Sequence, residues 1–121
     1  MRAILNNFRQ SPRKMRLVTD AVKGKSVAEA RTILAFLPKV ATTPIAKLLE
    51  SAVANAKENA KVTDVEKLRI ADLFVDGRVT LKRMMPRAHG SAYQILKRTS
   101  KVTLVLKEQV KMQSVNSKSK K

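Results

Sequence analysis

The sequence predicts an α+β domain in which three helices pack on a small antiparallel three-stranded sheet and a long β-hairpin protrudes. Three observations predict it. The hydrophobic period is helical from residue 12 to about 60 and becomes that of strands after residue 66. Between the two best strand runs lie residues 76–100, with no helical stripe and too many residues for an ordinary structureless loop. The net charge of +17, from 26 Lys and Arg against 9 Asp and Glu, is unevenly spread. At 121 residues the chain fits one hydrophobic core, so a single domain is expected over 1–111, with the hairpin at about 77–100 and a disordered basic tail at 112–121.

The opening run Arg2–Arg9 reads as a strand, although its alternation is weaker than that of the later runs. Ser11-Pro12 suits a helix start, because serine caps orphan amides and proline has its φ already set; Gly24 is the matching stop. Met15, Val18, Ala21 and Val22 follow helical spacing and leave Arg13, Lys14, Arg16 and Lys23 on a cationic face. Ser26-Val27-Ala28-Glu29 has capping-box spacing and opens a second helix with Val27, Ala30, Ile33, Leu34 and Leu37 inward, ended by Pro38. A third helix runs from Thr43-Pro44 to about Ala60 on Ile45, Leu48, Leu49, Ala52, Val53 and Ala56. Its other face, with Lys47, Glu50, Lys57 and Glu58, reads as solvated surface. Strands follow at 68–75 and 101–106, both rich in aliphatic and β-branched residues.

Within 76–100, Val79-Thr80-Leu81-Lys82 and Tyr93-Gln94-Ile95-Leu96-Lys97 read as outgoing and returning arms, with Pro86 and Gly90 midway where the chain reverses. An arm of about eight residues reaches roughly 25 Å, so a partner must hold it. Residues 1–25 balance to +6, 26–66 to zero, 67–111 to +8 and the tail to +3. From Gly77 to Lys107 there is no carboxylate. Arg78, Lys82, Arg83, Arg87, Lys97, Arg98, Lys101 and Lys107 make that stretch a candidate phosphate-contacting surface, joined by Arg9, Arg13, Lys14, Arg16 and Lys25 from the N-terminal zone.

The composition argues against other classes. Without cysteine there is no disulfide or thiolate metal site, and no cofactor is expected. The only histidine, His89, has no carboxylate or cysteine beside it for a triad or metal site. No glycine loop for phosphates occurs, and enzyme chemistry is not expected. Nor does any apolar run reach the ~18 residues of a membrane span, and no signal segment opens the chain. The residues alone leave open an architectural DNA-binding protein with a proline-tipped β-arm, or a helix-turn-helix in helices 12–23 and 26–37, whose second helix carries little base-reading chemistry. With aromatics at 3%, Tyr93 is not expected to head a base-stacking platform.

Lys82 and Arg87-Ala88-His89-Gly90-Ser91, then nine residues to Lys101-Val102-Thr103-Leu104-Val105-Leu106, resemble the hallmark of the ribosomal protein twenty-two family of the large subunit. Similar stretches are residues 11–18, 24–27, 51–56, 74–76 and 80–83, so the resemblance spans nearly all of 8–107. It implies a compact body on the outer surface of the large subunit near the polypeptide exit, and a hairpin running inward between ribosomal RNA segments. It further implies a role in early subunit assembly and a tip that lines the exit tunnel, carried here by Met84, Met85, Pro86, Arg87, Ala88, His89 and Gly90. The implied partners are large-subunit ribosomal RNA, neighbouring ribosomal proteins and the nascent polypeptide in transit, with no membrane and no homo-oligomer. The implied location is the ribosome of the cytoplasm, or of an organelle stroma or matrix. The sequence departs from the family pattern at Lys101, usually histidine, at Ser91 and Gln94, often arginine, and at the Gly77-Arg78-Val79 turn.

Overall fold

A computed structural model of the chain describes residues 1–109, and the tail expected at 112–121 lies outside the described residues. Strand β1 (Arg2–Phe8) leads into helices α1 (Pro12–Val22), α2 (Val27–Phe36) and α3 (Thr42–Asn59), then β2 (Leu68–Gly77), β3 (Leu81–Pro86), β4 (Ala92–Lys97) and β5 (Ser100–Glu108). β1, β5 and β2 form a three-stranded antiparallel sheet in that order, while β3 and β4 form a separate antiparallel pair. This is the expected α+β architecture.

The core lies between the helices and one face of the body sheet. Val102, Leu104 and Leu106 of the central strand β5 are fully buried and meet Met15, Val18, Ile45, Leu49 and Ala52 from α1 and α3. Among the described residues the opposite sheet face carries no helix; the cross-strand row Ile4, Thr103 and Phe74 lies there, with Phe74 half exposed.

Two bulges explain where simple alternation breaks. In β2 the register shifts between Ile70 and Asp72, so Leu68 and Ile70 share the buried face with Leu73 and Val75. In β1 it shifts between Leu5 and Phe8, where Asn7 takes a positive φ of 53°. Asparagine tolerates that conformation better than most residues, and the extra residue is why the strand's alternation looks weak in sequence.

The helix starts differ in a way the sequence does not reveal. At α2 the capping box is complete: Glu29 N–H donates to Ser26 Oγ at 3.3 Å, and Ser26 N–H to Glu29 Oε2 at 3.2 Å. At α1, Ser11 occupies the N-cap position with Pro12 after it, but its hydroxyl caps no amide, which corrects the expectation for that residue. Ser26→Ala should therefore cost about 1 kcal/mol of stability, whereas Ser11→Ala should change the thermal midpoint little. Parallel melts of the two variants check this.

Three finer expectations also shift. Thr19, rather than Ala21, completes the buried face of α1, and its hydroxyl donates to the Arg16 carbonyl at 3.1 Å. Ile33 and Leu37 in and beyond α2 are only partly buried. On α3, Glu50 is not simply solvated: both its oxygens accept from the Arg31 guanidinium, at 2.7 and 2.9 Å.

Candidate nucleic-acid interface

β2 and β5 do not stop at the body. Their last pair is Gly77 with Ser100; beyond it Arg78 N–H donates to the Thr99 carbonyl at 3.1 Å, and Thr99 Oγ1 donates to the Val79 carbonyl at 2.6 Å. Pairing resumes at Leu81 with Lys97 and continues to Pro86 with Ala92. The hairpin is thus an outward extension of the body's two longest strands. Its base is pinned by Ser100, a fully buried hydroxyl that donates to the Gln10 carbonyl at 2.5 Å.

The paired arms are shorter than the sequence suggests, at six residues each, or about 20 Å of strand. Chain reversal falls on His89 and Gly90, with φ of 59° and 68°, and not on Pro86, which ends β3. Arg87 N–H donates to the Ser91 carbonyl at 2.9 Å, and both the Ser91 amide and hydroxyl donate to the Ala88 carbonyl. Two consecutive positive-φ residues match the twist of a tight hairpin turn. A Cβ on Gly90 would meet nothing within 4 Å, so Gly90→Ala should cost only its backbone strain, about 1 kcal/mol locally. The check is faster hydrogen exchange at the Ser91 amide with an unchanged global melt.

Neither face of the ribbon packs on the body. Every residue of β4 is exposed, and in β3 only Leu81 and Met85 are partly covered. Directly opposed residues share a face, so the register sets Lys82 beside Leu96 on one side, and Lys97 beside Leu81 and Arg83 beside Ile95 on the other. Both faces therefore offer cations next to exposed apolar surface. That pattern suits burial on both sides by a partner that supplies negative charge.

At the root, Arg78, Lys82 and Arg98 surround a cleft of about 320 Å³ against Pro12 of α1, with Thr80 and Thr99 completing the wall. Among the described residues no carboxylate lines it. In sequence Thr80 reads only as part of the outgoing arm and not as a site residue, and the one hint at Thr99 is a polar Thr99-Ser100 pair set before an aliphatic strand. At the far end, Met85, Arg87, His89, Tyr93 and Gln94 shape a shallow hollow of about 540 Å³. The Arg87 guanidinium lies over the Tyr93 ring, 5.7 Å from its centroid, so that aromatic face already holds a cation. Met84 is 65% exposed.

The remaining predicted cations are dispersed. Arg9, Arg13, Lys14 and Lys25 are exposed on the body. Arg16 is exposed but donates from Nη2 to the Val75 carbonyl at 3.1 Å, so part of its guanidinium serves the fold. Lys101 is half-buried on β5 opposite Asp76, the carboxylate just before the acid-free stretch. The helix-turn-helix alternative loses its main cation, since Arg31 of α2 is paired with Glu50.

A protein-family model described as ribosomal protein L22p/L17e matches residues 3–107. This chain belongs to that family. The large ribosomal subunit protein uL22 of Clostridium novyi is 55% identical over 107 residues, covering 88% of this chain and 96% of that protein. The proteins of the same name from Desulfitobacterium hafniense and Deinococcus deserti are 50% and 49% identical over 107 residues, covering 93% and 76% of their own lengths. The L22p/L17e family is structural and non-enzymatic, so the chain is a structural ribosomal constituent. The described residues contain no group of His, Cys, Asp and Glu arranged to hold a metal, and no helix long and apolar enough to cross a membrane.

Proposed function

We propose that the chain is a constituent of the large ribosomal subunit that binds large-subunit ribosomal RNA, supports subunit assembly, and lines the nascent-polypeptide tunnel with its hairpin tip. The observation that carries this reading is the hairpin itself, exposed on both faces, free of carboxylate, and set with cations beside aliphatic side chains. An isolated two-stranded ribbon is marginal in water, and enclosure by RNA offsets both its charge and its exposed apolar surface. The root cleft of Arg78, Lys82 and Arg98 suits a backbone phosphate, with arginine able to fork two oxygens and the Thr80 hydroxyl to donate a third hydrogen bond. Arg83 and Lys97 reach RNA on the opposite face. Arg9, Arg13, Lys14, Arg16, Lys25 and Lys101 extend the contact onto the body, so that one small domain joins separate RNA segments. Residues 1–109 act as one unit, with Met84, Met85, Pro86, Arg87, Ala88, His89 and Gly90 at the tunnel wall. The expected setting is the ribosome of the cytoplasm, among neighbouring ribosomal proteins and without self-association.

Photo-crosslinking tests the assignment. A benzophenone side chain at position 83 or 97 should crosslink to large-subunit RNA in intact ribosomes, and one at position 89 should capture the nascent chain of stalled complexes. Crosslinks from 83 and 97 to protein alone would overturn the RNA assignment, and failure at 89 the tunnel assignment.

A further inference from the structure

The two edges of the body sheet are treated differently. On β2 the edge is covered in three places: Ile70 N–H donates to the Lys25 carbonyl at 3.0 Å, Ser26 bridges to Arg69, and Arg16 donates to the Val75 carbonyl. On β1, Met1 and Leu106 form a bonded pair, with the Leu106 amide donating to the Met1 carbonyl at 2.8 Å and the Met1 amine to the Leu106 carbonyl at 3.4 Å. Bonded and non-bonded pairs alternate in antiparallel strands. Ala3 and Leu5 therefore turn their backbone groups to β5, and Arg2 and Ile4 turn theirs outward. Among the described residues only the Arg2 carbonyl finds a partner there, Asn55 Nδ2 at 3.2 Å. Open edges of this kind are usually blocked.

Beside that edge runs a groove of about 750 Å³ between β1 and the first half of α3, walled by Leu5, Phe8, Val40, Pro44 and Leu48 with Ile4 on its rim. Ile4 is 42% and Val40 79% exposed, and among the described residues Lys47 is the one charged side chain lining it. A helix flanking an open strand is the geometry in which peptides dock by strand addition.

We infer that this groove accepts an extended segment of another protein as a fourth strand on β1, with alternate apolar side chains in the groove and a carboxylate at Lys47. The outward N–H and C=O groups call for a peptide backbone. Apolar walls distinguish the groove from the cation-lined surfaces of the hairpin, where RNA belongs. A second copy is disfavoured because each chain carries +17. The chain's own C-terminal stretch, residues 109–121, has four lysines and no carboxylate, and would bring like charge to Lys47.

The test is fluorescence anisotropy with the full chain and a labelled heptapeptide that alternates valine with glutamate or threonine. Binding in the micromolar range is expected, weakened about tenfold or more when lysine replaces glutamate in the peptide. N-methylation of alternate amides should abolish binding in one phase and spare it in the other, because only one set of amides faces β1. Ile4→Pro should also abolish it; the Ile4 amide is not used in the ladder to β5, so proline at this edge keeps the fold. Lys47→Glu should reverse the preference towards the lysine peptide. No binding of the glutamate peptide, equal binding of the lysine peptide, indifference to the phase of methylation, or displacement by an adenosine octanucleotide would each overturn the inference. So would self-association that Ile4→Pro removes. If Ile4→Pro does not fold, the methylation phases decide alone.

Discussion

Replacing Lys82, Arg83, Lys97 and Arg98 together with glutamine is expected to weaken binding of the chain to large-subunit ribosomal RNA by about 10³-fold at 0.1 M salt. Counterion release sets the size of the loss. Each cation that neutralises a phosphate frees close to one condensed ion, worth roughly a factor of eight at that salt, and four such contacts multiply. The slope of log affinity against log salt should fall by about three to four. These side chains lie on exposed strands of the hairpin, Arg98 just beyond β4, so the body's melting temperature should hardly move. Filter binding over a salt series, alongside thermal unfolding, separates the two effects. An equal loss of stability would mean that the four residues serve the fold and not a partner.

Leu104→Ala is expected to destabilise the body by about 2–5 kcal/mol. Leu104 is fully buried on the central strand, opposite Ala3 of β1 and Leu73 of β2, so the neighbours that would have to collapse into the void are held from both sides by hydrogen-bonded strands. For a domain of this size that loss lowers the melting temperature by roughly 10–30 °C, and small domains have only 5–15 kcal/mol in total. Calorimetry on the free chain measures it directly. Phe74→Ala is the paired control, since its half-exposed ring on the open sheet face should make it far less costly to lose.

What the sequence made legible was what local rules govern. The stripe Ile45, Leu48, Leu49, Ala52, Val53 and Ala56 is buried along α3, and Ser26 with Glu29 forms the capping box that their spacing predicts. Strand order was not legible, because β1 and β2 flank β5 only through pairings between distant parts of the chain. Nor were the bulges near Asn7 and at Ala71, where one unpaired residue moves the buried face by a position and only the partner strand reveals it. Ser11 shows the limit of cap rules, since its position is right and its hydrogen bond is missing.

The candidate interface divided in the same way. Absence of carboxylate from Gly77 to Lys107 marked the hairpin as cationic before its geometry was known. Which cations converge depended on the register, which gathers Arg78, Lys82 and Arg98 at the root and sets Arg87 over Tyr93 at the tip. His89 is the only histidine. In the structure it is exposed and holds, with Gly90, the positive-φ pair that reverses the chain.

The most direct test of the central claim is sedimentation of a gentle lysate, following the tagged chain and a variant whose residues 82–97 are replaced by a short turn. The intact chain is expected to stay with the large-subunit peak through a high-salt wash and to leave it only on ribonuclease digestion, while the shortened chain is released at lower salt. Migration with DNA and release by deoxyribonuclease, or equal salt resistance of the two chains, would contradict it.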